Sequence, residues 1–269
     1  MRPLAIAAVA VLSGFQPPEP NTPASTPVAQ QPAPTSTPAP RSFADFRPSI
    51  HGFRFVNSFT GSPLPVRLGN AERSMNVPNR FGLCGGMSFA AADFFLARRD
   101  RPLADVPPAQ GDPLYDFLYG RQVASLGTLG VMATKFMEWM RLSDDECRRR
   151  TLDELPEITR RLAEGKPEHL GLVLTSAARN PEPWHNHQVL AYALGEGPEG
   201  VTVIRIYDPN YPERDDATLV LGTPGESIAG TRVVPGKRPT IVRGVFRMSY
   251  TPVKPPESLS PPTAPAARQ

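Results

Sequence analysis

Residues 187–208 read His187-Gln-Val-Leu-Ala-Tyr-Ala-Leu-Gly-Glu-Gly-Pro-Glu-Gly-Val-Thr-Val-Ile-Arg-Ile-Tyr-Asp208. Two runs rich in Val, Ile, Leu and Ala flank the Gly195–Gly200 loop. Their composition predicts two strands, His187–Leu194 and Val201–Tyr207, joined as a loose hairpin. The runs are nearly equal in length. Antiparallel pairing therefore brings the histidine that opens the first near the aspartate that follows the second.

The same character continues outward from this hairpin. Leu170–Thr175, Ala217–Leu221 and Ile241–Ser249 are short, apolar and bounded by Gly and Pro, which predicts further strands. Upstream the period lengthens. Met87, Phe89, Phe94 and Phe95 fall on a helical run that ends at Arg98-Arg99. Residues 112–126 carry Leu114, Phe117, Leu118 and Val123 behind Asp112-Pro113, a good cap and first-turn pair. Residues 128–141 carry Leu129, Met132, Phe136, Met137 and Met140. That stripe and Trp139 read as core. Residues 152–164 carry Leu155, Ile158 and Leu162, with Asp153 as cap, Pro156 in the first turn and Gly165 as the stop. Helices first and consecutive strands after argue for an α+β fold. An N-terminal helical half then packs on a C-terminal antiparallel β-sheet, and a cleft can form between them. His51 and His169 have polar or Gly-rich neighbours and read as surface. Asp215-Asp216 reads as a solvated turn.

Proline marks the ends of this domain. The chain has 34 prolines in 269 residues, against about 5% in an average protein. Nine lie in residues 16–41 and six in residues 251–269. Residues 16–41 read as a Pro-rich disordered linker, residues 251–269 as a Pro-rich disordered tail, and residues 42–250 as the folded domain. Arg2 followed by the apolar run Pro3–Leu12 makes residues 1–15 a candidate signal peptide or hydrophobic anchor. That layout suggests a secreted or extracytoplasmic domain, near a membrane through its N-terminus only, with a cytoplasmic location as the alternative. No run of apolar residues is long enough for a polytopic membrane protein.

The net charge is +3, but it is spread along the chain. Residues 42–250 hold 25 basic and 24 acidic side chains, so no basic face points to nucleic acid. Arg148-Arg149-Arg150 follows Asp144-Asp145-Glu146 and reads as a solvated helix end. Two cysteines, Cys84 and Cys147, make no disulfide framework.

Three segments carry candidate chemistry. In the first, Asn79-Arg-Phe-Gly-Leu-Cys84-Gly85-Gly86-Met87, the cysteine sits where loop becomes helix. The helix dipole and nearby N–H groups there favour a thiolate. Gly85 and Gly86 let another backbone or a substrate come close. The second segment, Trp184-His185-Asn186-His187-Gln188, puts a histidine at the head of a strand. The third, Tyr207-Asp208-Pro209-Asn210-Tyr211, ends a strand in a carboxylate. Asp208 beside Nδ1 of His187 would fix the tautomer and stabilise the imidazolium. Trp184 and Tyr211 are candidates to line the cleft.

A helix-borne cysteine, a strand histidine and an aspartate one strand later resemble the papain-like cysteine peptidase superfamily. The Asp208-Pro209 step is similar to its bacterial branch that processes bacteriocin leaders. The resemblance covers roughly residues 76–212. It implies Cys84 as nucleophile, His187 as general base and Asp208 as the orienting residue. It implies a peptide or protein substrate and no metal or other cofactor. The family usually has a glutamine about six residues before the cysteine, donating to the oxyanion. Pro78 occupies that position here. Asn79 or Asn76 is the candidate substitute, with the Cys84 backbone N–H as second donor.

Three other readings share these residues. His185 and His187, two apart, could bind zinc with Cys84 or Asp208. A transglutaminase, deamidase or amidase would use the same thiol, imidazole and carboxylate. A catalytically inactive binding module would keep the fold without the chemistry.

Overall fold

The computed structural model describes residues 41–61, 80–127 and 130–260. The candidate signal peptide, residues 16–40 of the linker, and Asn76, Pro78 and Asn79 lie outside the described residues.

The chain is α+β. Helix α1 spans Pro48–His51, α2 Cys84–Leu96, α3 Pro113–Ser125, α4 Val131–Arg141 and α5 Asp144–Ala163. Strands β1 (Phe59–Thr60) and β2 (Arg80–Phe81) form a small antiparallel pair. Seven strands form the main sheet: β3 Glu168–Val173, β4 His187–Leu194, β5 Thr202–Tyr207, β6 Thr218–Leu221, β7 Gly230–Val233, β8 Thr240–Val242 and β9 Gly244–Met248. Their order is β8-β7-β6-β5-β4-β3-β9, and every neighbouring pair is antiparallel. The expected strand 241–249 is thus two strands, broken at Arg243, that sit at opposite edges of the sheet. Strand β7 escaped the sequence pattern.

Helix α2 is apolar on all sides, and Gly85–Phe95 are buried throughout. Such a helix belongs inside a fold. One side meets α3 and an aromatic belt of Phe43, Phe46, Phe53, Phe55 and Phe59. Another meets Leu190 and Tyr192 of β4. The alternate residues Val189 and Ala191 face Leu155, Ile158 and Leu162 of α5. Period-two alternation thus gives β4 a helix on each face. The sheet is sandwiched there rather than stacked beneath a separate helical half.

Four local expectations change. Helix α5 starts at Asp144, not near residue 152. Ser143 Oγ accepts from Glu146 N at 3.2 Å, and acidic residues fill the first turn. Pro156 therefore lies inside the helix. Arg149 and Arg150 are mid-helix, paired with Glu146, Asp153 and Glu138. His169 is buried at 2% exposure, because β3 is covered along its whole length. Residues 251–260 are no loose tail. Val253 N donates to Asp93 at 3.0 Å, Arg121 donates to Thr251 O at 2.9 Å, and Pro255 is buried. Asp112 caps α3 as expected, accepting from Leu114 N at 2.7 Å. Trp139 is core, and both cysteines are unpaired.

Candidate active site

Cys84 is the first residue of α2 and is half-buried. The preceding Leu83 has no side chain that can cap, so distant residues cover the helix start. Asn57 Oδ1 accepts from Leu83 N at 2.6 Å. Gln122 of α3 accepts from Gly86 N at 3.0 Å through Oε1. Met87 N bonds Leu83 O. The amides of Cys84 and Gly85 carry no hydrogen bond among the described residues.

Gly85 and Gly86 are packing positions rather than cleft walls. Both are buried. A Cβ on Gly85 would collide with Gln188 Oε1 and Ser125 Oγ, and one on Gly86 with Leu118 O of α3. Their missing side chains let α3 cross close enough to bring Gln122 over the helix start.

His187 opens β4 at 4% exposure. Its Nε2 lies 2.7 Å from Asp208 Oδ1. This corrects the expectation of Nδ1, and register explains why. Leu190 pairs with Tyr207, so Asp208 stands level with Val189. That is two residues, about 7 Å, along the strand from His187. The far nitrogen of the ring spans that gap. Cys84 raises the proton affinity of the same ring, and Nδ1 is the nitrogen that Asp208 leaves free.

Asp208 is 1% exposed and fully engaged. Oδ1 also accepts from Asn210 N at 2.9 Å, and Oδ2 from Arg232 Nη1 at 2.9 Å. Arg232 lies on β7 at 7% exposure. It donates to Thr240 Oγ1 at 3.1 Å and sits 5.4 Å from the Tyr211 ring centroid. Burial opposes charge on His187. The Asp208 carboxylate and then Cys84 outweigh it, and the imidazole is pushed up to about 9. Burial also opposes charge on Asp208. His187, Arg232 and the Asn210 amide nevertheless hold it below the usual carboxylate range.

Asn57 joins the two halves of this site. Its Nδ2 donates to Asn210 Oδ1 at 3.0 Å and its N to Pro209 O at 3.0 Å, while Oδ1 holds Leu83. One belt residue thus ties the loop before Cys84 to the turn after Asp208.

The remaining candidates are placed as follows. Trp184 is 47% exposed in a 3-10 turn, Pro183–His185. Tyr211 packs partly against the core beneath the sheet and against Arg232. His185 turns to Glu182 at 3.0 Å, so the two histidines do not share a ligand site. Among the described residues no three His, Cys, Asp or Glu side chains cluster as a metal site. A cavity of ≈ 670 Å³ between α4 and α5 does not include the triad. Its charges pair with each other, Lys135 with Glu154 and Arg150 with Glu138.

Arg232, Asn57 and Gln122 escaped the sequence reading. Each is distant in sequence from the residue it serves, and none sits in a motif. The one trace is a lone arginine at a buried strand position, Thr231-Arg232-Val233. No protein-family model, curated protein or solved structure matches this chain.

Proposed function

We propose that this protein is a thiol-dependent hydrolase of peptide or amide bonds, built on a papain-like arrangement with Cys84, His187 and Asp208 as its triad. One observation carries the reading. A single buried imidazole meets a carboxylate at 2.7 Å, and Cys84, which opens a buried helix, raises its proton affinity further. In this reading Cys84 Sγ attacks the carbonyl carbon, and His187 holds the thiol proton. As the C–N bond breaks, His187 gives that proton to the leaving amine and a thioester remains. His187 then takes a proton from water as the water's oxygen attacks the thioester. The acid is released and the thiol is restored. The Cys84 and Gly85 amides are the oxyanion donors in this reading, because Gly86 N and Met87 N are already engaged.

The substrate is a peptide or protein, and no metal or cofactor takes part. The apolar run after Arg2 and the Pro-rich linker support an extracytoplasmic location. Among the described residues no helix is long and apolar enough to cross a membrane.

The test is a peptide-library digest with wild type and Cys84→Ala, run beside an amine-incorporation assay. Cleavage should fall at least about 10³-fold in the variant. Equal cleavage by both proteins would contradict the proposal. Amine incorporation without hydrolysis would replace it with acyl transfer.

A further inference from the structure

We propose that Arg232 is a positioning residue whose charge holds the Cys84–His187 pair at one shared proton rather than two. The inference rests on the triad reading above and concerns how that triad is made reactive.

The reasoning is a charge balance in a buried place. His187, Asp208 and Arg232 are 4%, 1% and 7% exposed. Net charge in such a site is costly, and neutral combinations are favoured. Asp208 contributes one negative charge. With no cation nearby, neutrality would require the Cys84–His187 pair to carry one positive charge. That state is a thiol beside an imidazolium, two protons in all. Its sulfur keeps its proton and is a poor nucleophile.

Arg232 changes the count. Its guanidinium meets Asp208 Oδ2 at 2.9 Å and cancels that charge within the site. Neutrality now requires the Cys84–His187 pair to be neutral as a whole, which means one proton. That proton can sit on sulfur or on the ring. When it sits on the ring, the pair is a thiolate beside an imidazolium. The hydrogen bond from His187 Nε2 to Asp208 favours that arrangement.

Among the described residues the surroundings supply no competing charge of this kind. The charged and titratable groups facing the cluster are Cys84 from α2, His187 from β4, Tyr207 and Asp208 from the end of β5, and Arg232 from β7. Tyr207 Oη is bonded by Phe53 N. Tyr211 and Thr240 complete the wall around the guanidinium. Arginine suits the place because it stays charged and its fork reaches Asp208 and Thr240 together.

The experiment follows Cys84 thiolate absorbance and iodoacetamide labelling against pH, with mass mapping to separate Cys84 from Cys147. In Arg232→Met the thiolate should appear about one pH unit higher or more, and Cys84 labelling near neutrality should slow about tenfold or more. Arg232→Lys should stay within about threefold of wild type, because it keeps the charge. Asp208→Asn with Arg232→Met removes both charges and leaves none unpaired. Its thiolate midpoint should lie at least about half a unit above that of Asp208→Asn alone, which keeps the cation. This double variant carries the test if Arg232→Met fails to fold. An unchanged midpoint in Arg232→Met, or equal midpoints in Asp208→Asn and the double variant, would overturn the proposal. No substrate is needed for these measurements. A wild type that labels as described but cleaves no peptide would count against the hydrolase reading alone.

Discussion

Two buried aspartate–arginine pairs flank α2, and each lies near a buried histidine. Asp208 and Arg232 serve the end that begins with Cys84. Asp93 and Arg121 meet near the other end at 2.7 Å, beside His169. The residue types match, yet the proton affinities run in opposite directions. His187 is pushed up to about 9, whereas His169 is pulled down to about 3 by burial and by Arg121. Asp208 is held below the ordinary carboxylate range, whereas burial lifts Asp93 to about 6 despite Val253 N, Arg121 and Tyr250. Contact explains the histidines. His187 touches a carboxylate directly. His169 lies between the rings of Phe89 and Tyr250, with both nitrogens unpartnered among the described residues. A buried imidazole keeps a proton only where a counter-charge hydrogen-bonds it. One end of α2 thereby faces an imidazole that holds its proton, and the other anchors residues 250–253.

Exchanging the two carboxylates is the strongest way to break this contrast. Asp208→Asn should slow turnover about 10²–10³-fold. Asp93→Asn should leave turnover within about twofold, because it lies at the far end of α2. Equal losses in the two variants would remove the distinction.

Next in size is the cost of stranding a buried charge. Arg121→Met should destabilise the fold by about 3–5 kcal/mol in urea, since Asp93 loses its cation. Adding Asp93→Asn should recover most of that loss. The surviving folded protein should label at Cys84 as wild type does.

Smaller effects should appear in stability against pH, both as losses on raising pH but in separate ranges. The raised affinity of His187 favours the fold fully below the unfolded value of about 6.5, and that contribution is lost as pH rises through about 9. His187→Gln should flatten that alkaline loss. Asp93 binds its proton more tightly folded than unfolded, so stability falls as pH rises from about 4 to about 6. Asp93→Asn should remove that slope, worth about 3 kcal/mol. Urea midpoints at a series of pH values check both.

The smallest change belongs to His169→Leu. The ring is neutral and unpartnered, so an apolar replacement should shift stability by less than about 1 kcal/mol. A loss several times larger would mean that His169 is charged or bonded in solution.

What was legible in the sequence followed distance along the chain. Strand His187–Leu194, the Asp112 cap and the core role of Trp139 depend on neighbours a few residues away, where period and cap chemistry speak. The nearness of His187 and Asp208 was readable because one hairpin joins them. Their nitrogen was not, since it depends on a two-residue offset in register. Arg232 reaches Asp208 only after the chain passes through β6 and turns back. Asn57 meets Asn210 across most of the domain. Helix α5 misled because Pro156 resembles a first-turn proline. The true start is set by Ser143 and the acidic turn behind it, and ion pairs along the helix accompany the proline.

The most direct measurement is a histidine-selective ¹⁵N NMR titration of the folded protein. Only four histidines need assignment, and His187→Gln and His169→Leu identify the two that matter. His187 should remain an imidazolium at neutral pH and titrate near 9, while His169 stays neutral down to about pH 4. Titration of His187 near 6.5, as for an isolated imidazole, would contradict a charged pair held ready beside Cys84.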